Sequence, residues 1–246
     1  MIHQIQKWSL FLCALSTLLV SCDPEPDPFE ATGDESYFSP AGTDPIRYQV
    51  DSVIYDPSLA GTDRIATSSV WSLSPIAETT DSKPFYVTVD NLDSAATPVQ
   101  RYIWDFQTNG VLGGRHINQL DGYSYVSLVT PFTSQSTWDA LQMSDPSLVI
   151  TVAGDPLEIH KDWSIARIDS IGPYTLPDGS NVDAVFVILT ASENAIELRE
   201  FKEIYGKGYG LLERSQRMLD TQQSGSTDPW EEKAENGFTV EMKRLF

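Results

Sequence analysis

Cysteine is almost missing from this chain. Cys13 and Cys22 are the only two among 246 residues, and both stand in an N-terminal stretch that reads as an export signal. The remainder can form no disulfide, and a thiol nucleophile, an iron–sulfur site and a cysteine zinc site are excluded with it. Positive charge is short as well: 16 Lys and Arg face 35 Asp and Glu, a formal net charge of −19. Such a chain repels phosphate backbones, so nucleic acid is not an expected partner. Histidine is scarce, with His116 and His160 the two that lie beyond the N-terminal stretch. No His-Glu-x-x-His occurs, which removes a helical zinc protease, and no Gly-x-Ser-x-Gly, which removes the usual hydrolase elbow. Neither a cofactor nor a metal site is expected. Also lacking is an apolar run of the roughly 20 residues that a membrane-spanning helix needs.

What the N-terminus does have is a short head carrying Lys7 and then thirteen uncharged residues, Trp8–Val20. That is the length of a signal-peptide core. The segment ends in Leu19-Val20-Ser21-Cys22, which resembles the lipobox of bacterial lipoproteins. The resemblance implies that residues 1–21 are cut away and that the Cys22 thiol, a better nucleophile than a hydroxyl, carries palmitate-type acyl chains. Each buried CH₂ adds about 0.8 kcal/mol of membrane affinity, so a lipid bilayer is the first expected partner. Residues 22–36 then form an acidic tether. Asp23–Glu35 reads DPEPDPFEATGDE, whose alternating prolines favour an extended chain with little to bury. Acids directly after the lipidated cysteine resemble the surface-export signal of Bacteroidota lipoproteins, whereas Asp next to the cysteine resembles an inner-membrane retention signal of enterobacteria. The expected location is the outer membrane, facing the periplasm or the cell exterior.

Residues 37–246 are long enough to enclose a core of their own, with Asn109–Gly122 and its four glycines as the best internal break. Most segments are short, rich in β-branched and aromatic residues, and closed by turn residues. Strands are expected over Ile46–Asp56, Arg64–Leu73, Pro84–Asp90, Val99–Gln107, Tyr123–Phe132, Leu148–Val152, Trp163–Ile171, Val182–Thr190 and Phe238–Lys243. Trp104 and Phe106 should share a face opposite Ile103. Val182–Thr190 is almost continuously apolar, as in a strand covered on both sides. Ala195–Phe201 has both helical and strand spacing and is read as a strand. Helix is otherwise confined to one turn near Thr137–Gln142. About ten strands in succession point to a mainly β fold, an antiparallel sheet curled into a sandwich or open barrel.

Several stretches resemble a family of Bacteroidota lipoproteins. They are Tyr37-Phe38, Tyr48–Asp56 (YQVDSVIYD), Tyr125–Val129 with Pro131-Phe132 and Trp138-Asp139, and Ile204–Leu212 (IYGKGYGLL). Their order holds along almost the whole mature chain, although each motif is loose. The chain departs from the pattern at Ser39–Ile46, and again where Ala140-Leu141 replaces Gly-Asn. The resemblance implies a β-rich exported domain and no activity.

Motifs that could carry chemistry are few. Gly206, Gly208 and Gly210 would need a helix directly after them to cradle phosphate. Leu211–Leu219 reads as a strand instead, so a sharp turn is expected. His160-Lys161-Asp162 lacks phospholipase D spacing, and both histidines are expected on the surface or in loops. Asp178, Ser180 and Asp183 offer oxygens around Gly179 but lack the closing Glu of a calcium loop, which leaves a hairpin turn. Trp104 and Trp163 are expected in the core. Trp230, in an acidic loop, is the aromatic to suspect first of exposure, although packing over a strand is the commoner fate.

These features point to a membrane-anchored envelope lipoprotein acting as a binding or interaction module, with a glycan, a peptide or an envelope protein as partner, and more readily non-catalytic than enzymatic. Two alternatives stand. One is a carrier of an apolar ligand in a barrel interior lined by residues such as Val185, Phe186 and Val187. The other is a hydrolase using two carboxylates across a cleft. The anchor gives the first prediction: Cys22→Ala abolishes incorporation of labelled palmitate and leaves soluble or uncleaved protein. Unchanged labelling of the variant overturns the lipobox reading.

Overall fold

Alternating runs of β-branched and aromatic residues become antiparallel strands along nearly the whole chain. The computed structural model describes residues 35–38, 45–56, 64–76, 82–92, 101–109, 114–120, 123–163 and 165–246. The expected signal peptide, Cys22 and the expected tether as far as Asp34 lie outside the described residues. The first half supplies β1 (Ile46–Tyr55), β2 (Arg64–Pro75), β3 (Ser82–Asn91), β4 (Arg101–Asn109), β5 (Arg115–Leu120) and β6 (Tyr123–Val129). The middle supplies β7 (Thr137–Trp138), β8 (Val149–Val152) and β9 (Asp155–Glu158). The last third supplies β10 (Ala166–Thr175), β11 (Asn181–Glu193), β12 (Glu197–Gly206), β13 (Gly210–Asp220), the short helix α1 (Trp230–Lys233) and β14 (Asn236–Leu245).

Twelve of these strands form one sheet in the order β6-β5-β4-β3-β2-β1-β14-β13-β12-β11-β10-β7, nearly closed into a barrel. β8 and β9 make a separate two-stranded sheet. The expected curled antiparallel sheet is thus present, as a barrel rather than a sandwich. Two meanders compose it, joined where the first strand pairs with the last, from Arg47↔Leu245 to Tyr55↔Gly237. At the seam the Val126 amide donates to the Ala140 carbonyl at 2.8 Å. The Trp138 indole donates to the Val126 carbonyl at 2.8 Å. Trp138 therefore fills the seam from a short strand, and the helical turn expected near Thr137–Gln142 gives way to this strand and the turn after it.

The interior is aromatic. Trp104 and Phe106 stack with centroids 5.3 Å apart and both are buried, while Ile103 beside them is exposed, as the alternation foretells. Val185, Val187 and Leu189 are buried in the same core. Near one end Phe38, just after the tether, meets Phe106, His116 and Tyr205. It is held there by the Gly208 amide donating to the Ser36 carbonyl at 2.9 Å. The Gly206–Gly210 stretch is the β12–β13 turn. Gly208 and Gly210 have φ of 78° and 72°, values that favour glycine because other residues suffer a Cβ–carbonyl clash. β13 begins at once, so this is no phosphate loop. At the far end Arg199, 1% exposed, donates to the Glu158 carbonyl of β9, the Leu219 carbonyl and Asp220, tying the small sheet to the barrel.

Outside the barrel, Trp230 packs with Tyr55, Leu198, Leu219 and Ala234. It is 7% exposed, its indole donates to Glu193 at 2.8 Å, and Lys233 lies over its ring. Trp230 thus packs over neighbouring strands, the commoner fate for such a residue, and anchors α1 on the outer face. The hairpin at Leu176–Ser180 matches expectation: Asp178 accepts from the Ser180 amide and hydroxyl and Gly179 takes φ of 84°. Among the described residues no group of three acidic, histidine or cysteine side chains could hold a metal ion.

His116, inside β5, overturns the surface-or-loop reading, whereas His160 stands in the turn after β9 as expected but is buried there. His116 is fully buried against Phe38 and hydrogen-bonded to Thr130. His160 is 3% exposed, packed between Tyr123 and Trp163 with Nδ1 bonded to the Asp145 carbonyl. In both, loss of water disfavours the charged ring and lowers the pKa, for His116 to about 4. The unfolded chain protonates near 6.5 and the folded one near 4, so this contribution to stability is complete above pH 6.5 and is lost as pH falls toward 4. Urea unfolding from pH 7 to 4 should show a loss on the order of 3 kcal/mol in the native protein beyond that of His116→Asn. Equal pH slopes for the two proteins contradict the buried neutral ring.

Candidate functional site

The register of the barrel places a carboxylate and a guanidinium opposite one another inside it. Counting back from the β12–β13 turn, Gly206 faces Gly210 and Tyr205 faces Leu211. A bulge then shifts the pairing, so that Ile204 faces Glu213 and Glu203 faces Arg214. Glu203 and Arg214 are 1% and 7% exposed. Arg214 Nε donates to Glu203 Oε1 at 3.0 Å, and Nη2 lies 2.9 Å from the same oxygen. Nη2 also donates to the Tyr125 hydroxyl at 2.7 Å. Tyr125 in turn donates to Glu203 Oε1, and Tyr205 to Oε2, each at 2.6 Å. The guanidinium carbon sits 4.7 Å from the centroid of Trp104, whose indole donates to Asn118. An isolated charge in such a place would cost several kcal/mol; here both are paired and the carboxylate is saturated.

Electrostatics follow from that enclosure. Burial, reinforced by the Glu203 carboxylate, lifts the Tyr125 and Tyr205 hydroxyls well above their ordinary pKa. Burial likewise raises Tyr48 to about 12. These phenols are therefore neutral donors at every physiological pH. Desolvation opposes the Arg214 charge, but the surrounding Tyr125, Glu203 and Tyr205 oxygens outweigh it and hold its pKa above the ordinary value. Nη1 of Arg214 donates to no group among the described residues.

Arg214 also floors a cavity of about 250 Å³ between β1, β2, β3, β13 and β14. One wall follows a single cross-strand row, Asn91–Ser69–Val50–Met242–Arg214. A second row, Thr67–Ser52–Val240–Gln216, lies nearer the rim. Ser52 and Thr67 share a hydrogen bond of 2.7 Å. Trp71, half-buried on the cavity wall, meets Trp104 edge to face at 6.3 Å. Thr67 and Asn91 at the rim are exposed. The arrangement offers donors, acceptors, aliphatic wall and one indole, and among the described lining residues no hydroxyl stands beside a basic His, Asp or Glu.

The residues expected to line a carrier pocket sit elsewhere. Val185 and Val187 are buried in the filled side of the core, and neither they nor Phe186 border this cavity. Acids do line another concavity, of about 330 Å³: Asp155, Asp220 and Glu235. Two are engaged, Asp220 by Arg199 at 2.7 Å and Glu235 by the Gln222 amide and the Gln223 side chain. Sequence reading missed Glu203, Arg214 and Trp71. The available signal was a charge standing at an inward position between apolar ones, as Glu203 stands between Phe201 and Tyr205.

By fold the chain is a nearly closed antiparallel barrel with a charge pair in its interior and a side cavity. No family model matches the sequence, and no curated protein or solved structure matches it.

The buried pair yields a stability prediction. Glu203→Leu strands the guanidinium and should cost about 3–5 kcal/mol in urea unfolding. Glu203→Leu combined with Arg214→Met should cost less than Glu203→Leu alone. A double variant less stable than the single one contradicts the pairing.

Proposed function

We propose that this protein is a lipid-anchored, non-catalytic binding module of the cell envelope. Acyl chains on Cys22 fasten it to the outer membrane, the acidic tether spaces it from the bilayer, and a small ligand occupies the cavity above Arg214. The observation that carries the reading is this cavity of about 250 Å³, walled by five paired strands and floored by a guanidinium with an unused donor. A rigid sheet wall suits binding, because little ordering entropy is left to lose when the ligand arrives. The catalytic motifs missing from the sequence support the same reading. A purely apolar cargo fits the cavity less well, since Arg214 Nη1 and the Gln216 amide would lose water and gain no partner.

Native mass spectrometry of the protein isolated from its own cells tests this. The mature chain should carry both its acyl mass and a small retained ligand. Ser69→Phe, which fills the cavity from β2, should keep the acyl mass and lose the ligand. Identical ligand retention by the native and filled proteins overturns the cavity as the binding site.

A further inference from the structure

The cavity's chemistry narrows its occupant. We infer that it is a subsite for a single neutral sugar ring, an inference that rests on the binding-module reading above. Charge is the first discriminator. Glu203 cancels Arg214 at a distance of 2.9 Å, so the floor of the cavity presents a donor without net positive charge. The chain as a whole carries −19. An anionic ligand would leave water for a site that gives it no counter-charge, inside a negative protein.

Hydrogen-bond geometry is the second. Nε and Nη2 are both engaged by Glu203 and Tyr125. The two-nitrogen fork that grips a carboxylate or phosphate is therefore already occupied. What remains is Nη1, whose two N–H groups suit neutral oxygen acceptors such as hydroxyls. The side-chain amides of Gln216 and Asn91, which also line the cavity, have no partner among the described residues and can each donate and accept. The Ser52–Thr67 hydroxyl pair retains one free proton, because one of the two hydroxyls donates to the other. Alternating donors and acceptors match a polyol.

The third discriminator is shape and surface. Trp71 borders the cavity with part of its indole and the aliphatic side chains of Val50, Val89 and Val240 add apolar surface, the kind that the C–H face of a sugar ring covers. A volume of about 250 Å³ falls just below the usual range for drug-sized ligands, which favours one ring over a longer chain. The exposed rim at Thr67 and Asn91 leaves room for the ring to be the end of a larger glycan.

The test uses the full acylated chain in detergent micelles. Isothermal titration and saturation-transfer NMR are run with the methyl glycosides of glucose, galactose, mannose and N-acetylglucosamine, with methyl glucuronide as the charged counterpart, and with 1-hexanol. At least one neutral glycoside should bind saturably in the millimolar range. Trp71→Ala should weaken it about tenfold or more, and the glucuronide should bind at least tenfold more weakly than methyl glucoside. Should Trp71→Ala fail to fold by circular dichroism, Gln216→Leu carries the same expectation. Glucuronide binding equal to glucoside, or hexanol binding with no glycoside binding, overturns the sugar assignment while the binding-module reading stands. If no probe binds and Ser69→Phe also retains the native ligand, both readings fall.

Discussion

A carboxylate and a guanidinium enclosed in an aromatic barrel must satisfy one another, and much of this structure follows from that demand. Separating Glu203 from Arg214 would leave either charge facing Trp104, Phe201 and Tyr205 with almost no water, a cost of several kcal/mol in a domain whose net stability is of that order. The demand fixes register. The bulge between Ile204 and Tyr205 moves β13 by one residue, so that Arg214, and not Glu213, comes opposite Glu203. Without the bulge two carboxylates would face each other inside the barrel. It also fixes the neighbours: both oxygens of Glu203 accept phenolic hydrogens, so Tyr125 on the distant strand β6 is drawn to β12 and β13 across the interior. The barrel is held across its diameter by this contact as well as around its circumference by the sheet.

The cavity arises from unequal filling of the two sides. Inward positions on β4, β6 and β12 carry Trp104, Phe106, Tyr125, Phe201 and Tyr205, all nearly solvent-free. Inward positions on β1 and β2 facing them carry Ser52, Thr67 and Ser69, which cannot reach across. Sheet closure sets the barrel width, and the small side chains leave unfilled the space that large ones occupy opposite. Arg214 stands at the boundary, with its Nε edge committed to the filled side. The same guanidinium thus secures the core and forms the cavity floor, so ligand binding there would act on a group already fixed in place.

How much of this the sequence revealed depends on period. Where hydrophobicity alternates, as at Trp104 and Phe106 around Ile103, or runs unbroken, as at Val185–Leu189, the strand and its covering were legible. Pro177-Gly179 and the Gly206–Gly210 stretch announced turns through backbone chemistry, and both are turns. The failures have local causes. Thr137–Gln142 looks like a helical turn because nothing in its residues says that Trp138 must fill the seam. The histidines look like surface residues because the sequence does not disclose which polar side chains an aromatic environment will keep neutral. The charge pair is hidden by the bulge, since regular counting from the glycine turn sets Glu203 against Glu213. Trp71 cannot be singled out from the five tryptophans beyond residue 22 until the cavity gives it a neighbourhood.

The two ends of the barrel are not equivalent, because different groups close them. The chain enters beside the β12–β13 turn, where Phe38 fills the interior against Phe106, His116 and Tyr205. The cavity residues on β1, β13 and β14 lie further along those strands, toward the ends marked by Tyr55, Asp220 and Gly237. The aromatic plug at Phe38 covers Tyr205, whose hydroxyl donates to Glu203, and so keeps water from that side of the charge pair. The side cavity has its exposed residues at Thr67 and Asn91, on β2 and β3. The opposite end is closed by other means, the small β8–β9 sheet held to the barrel through Arg199.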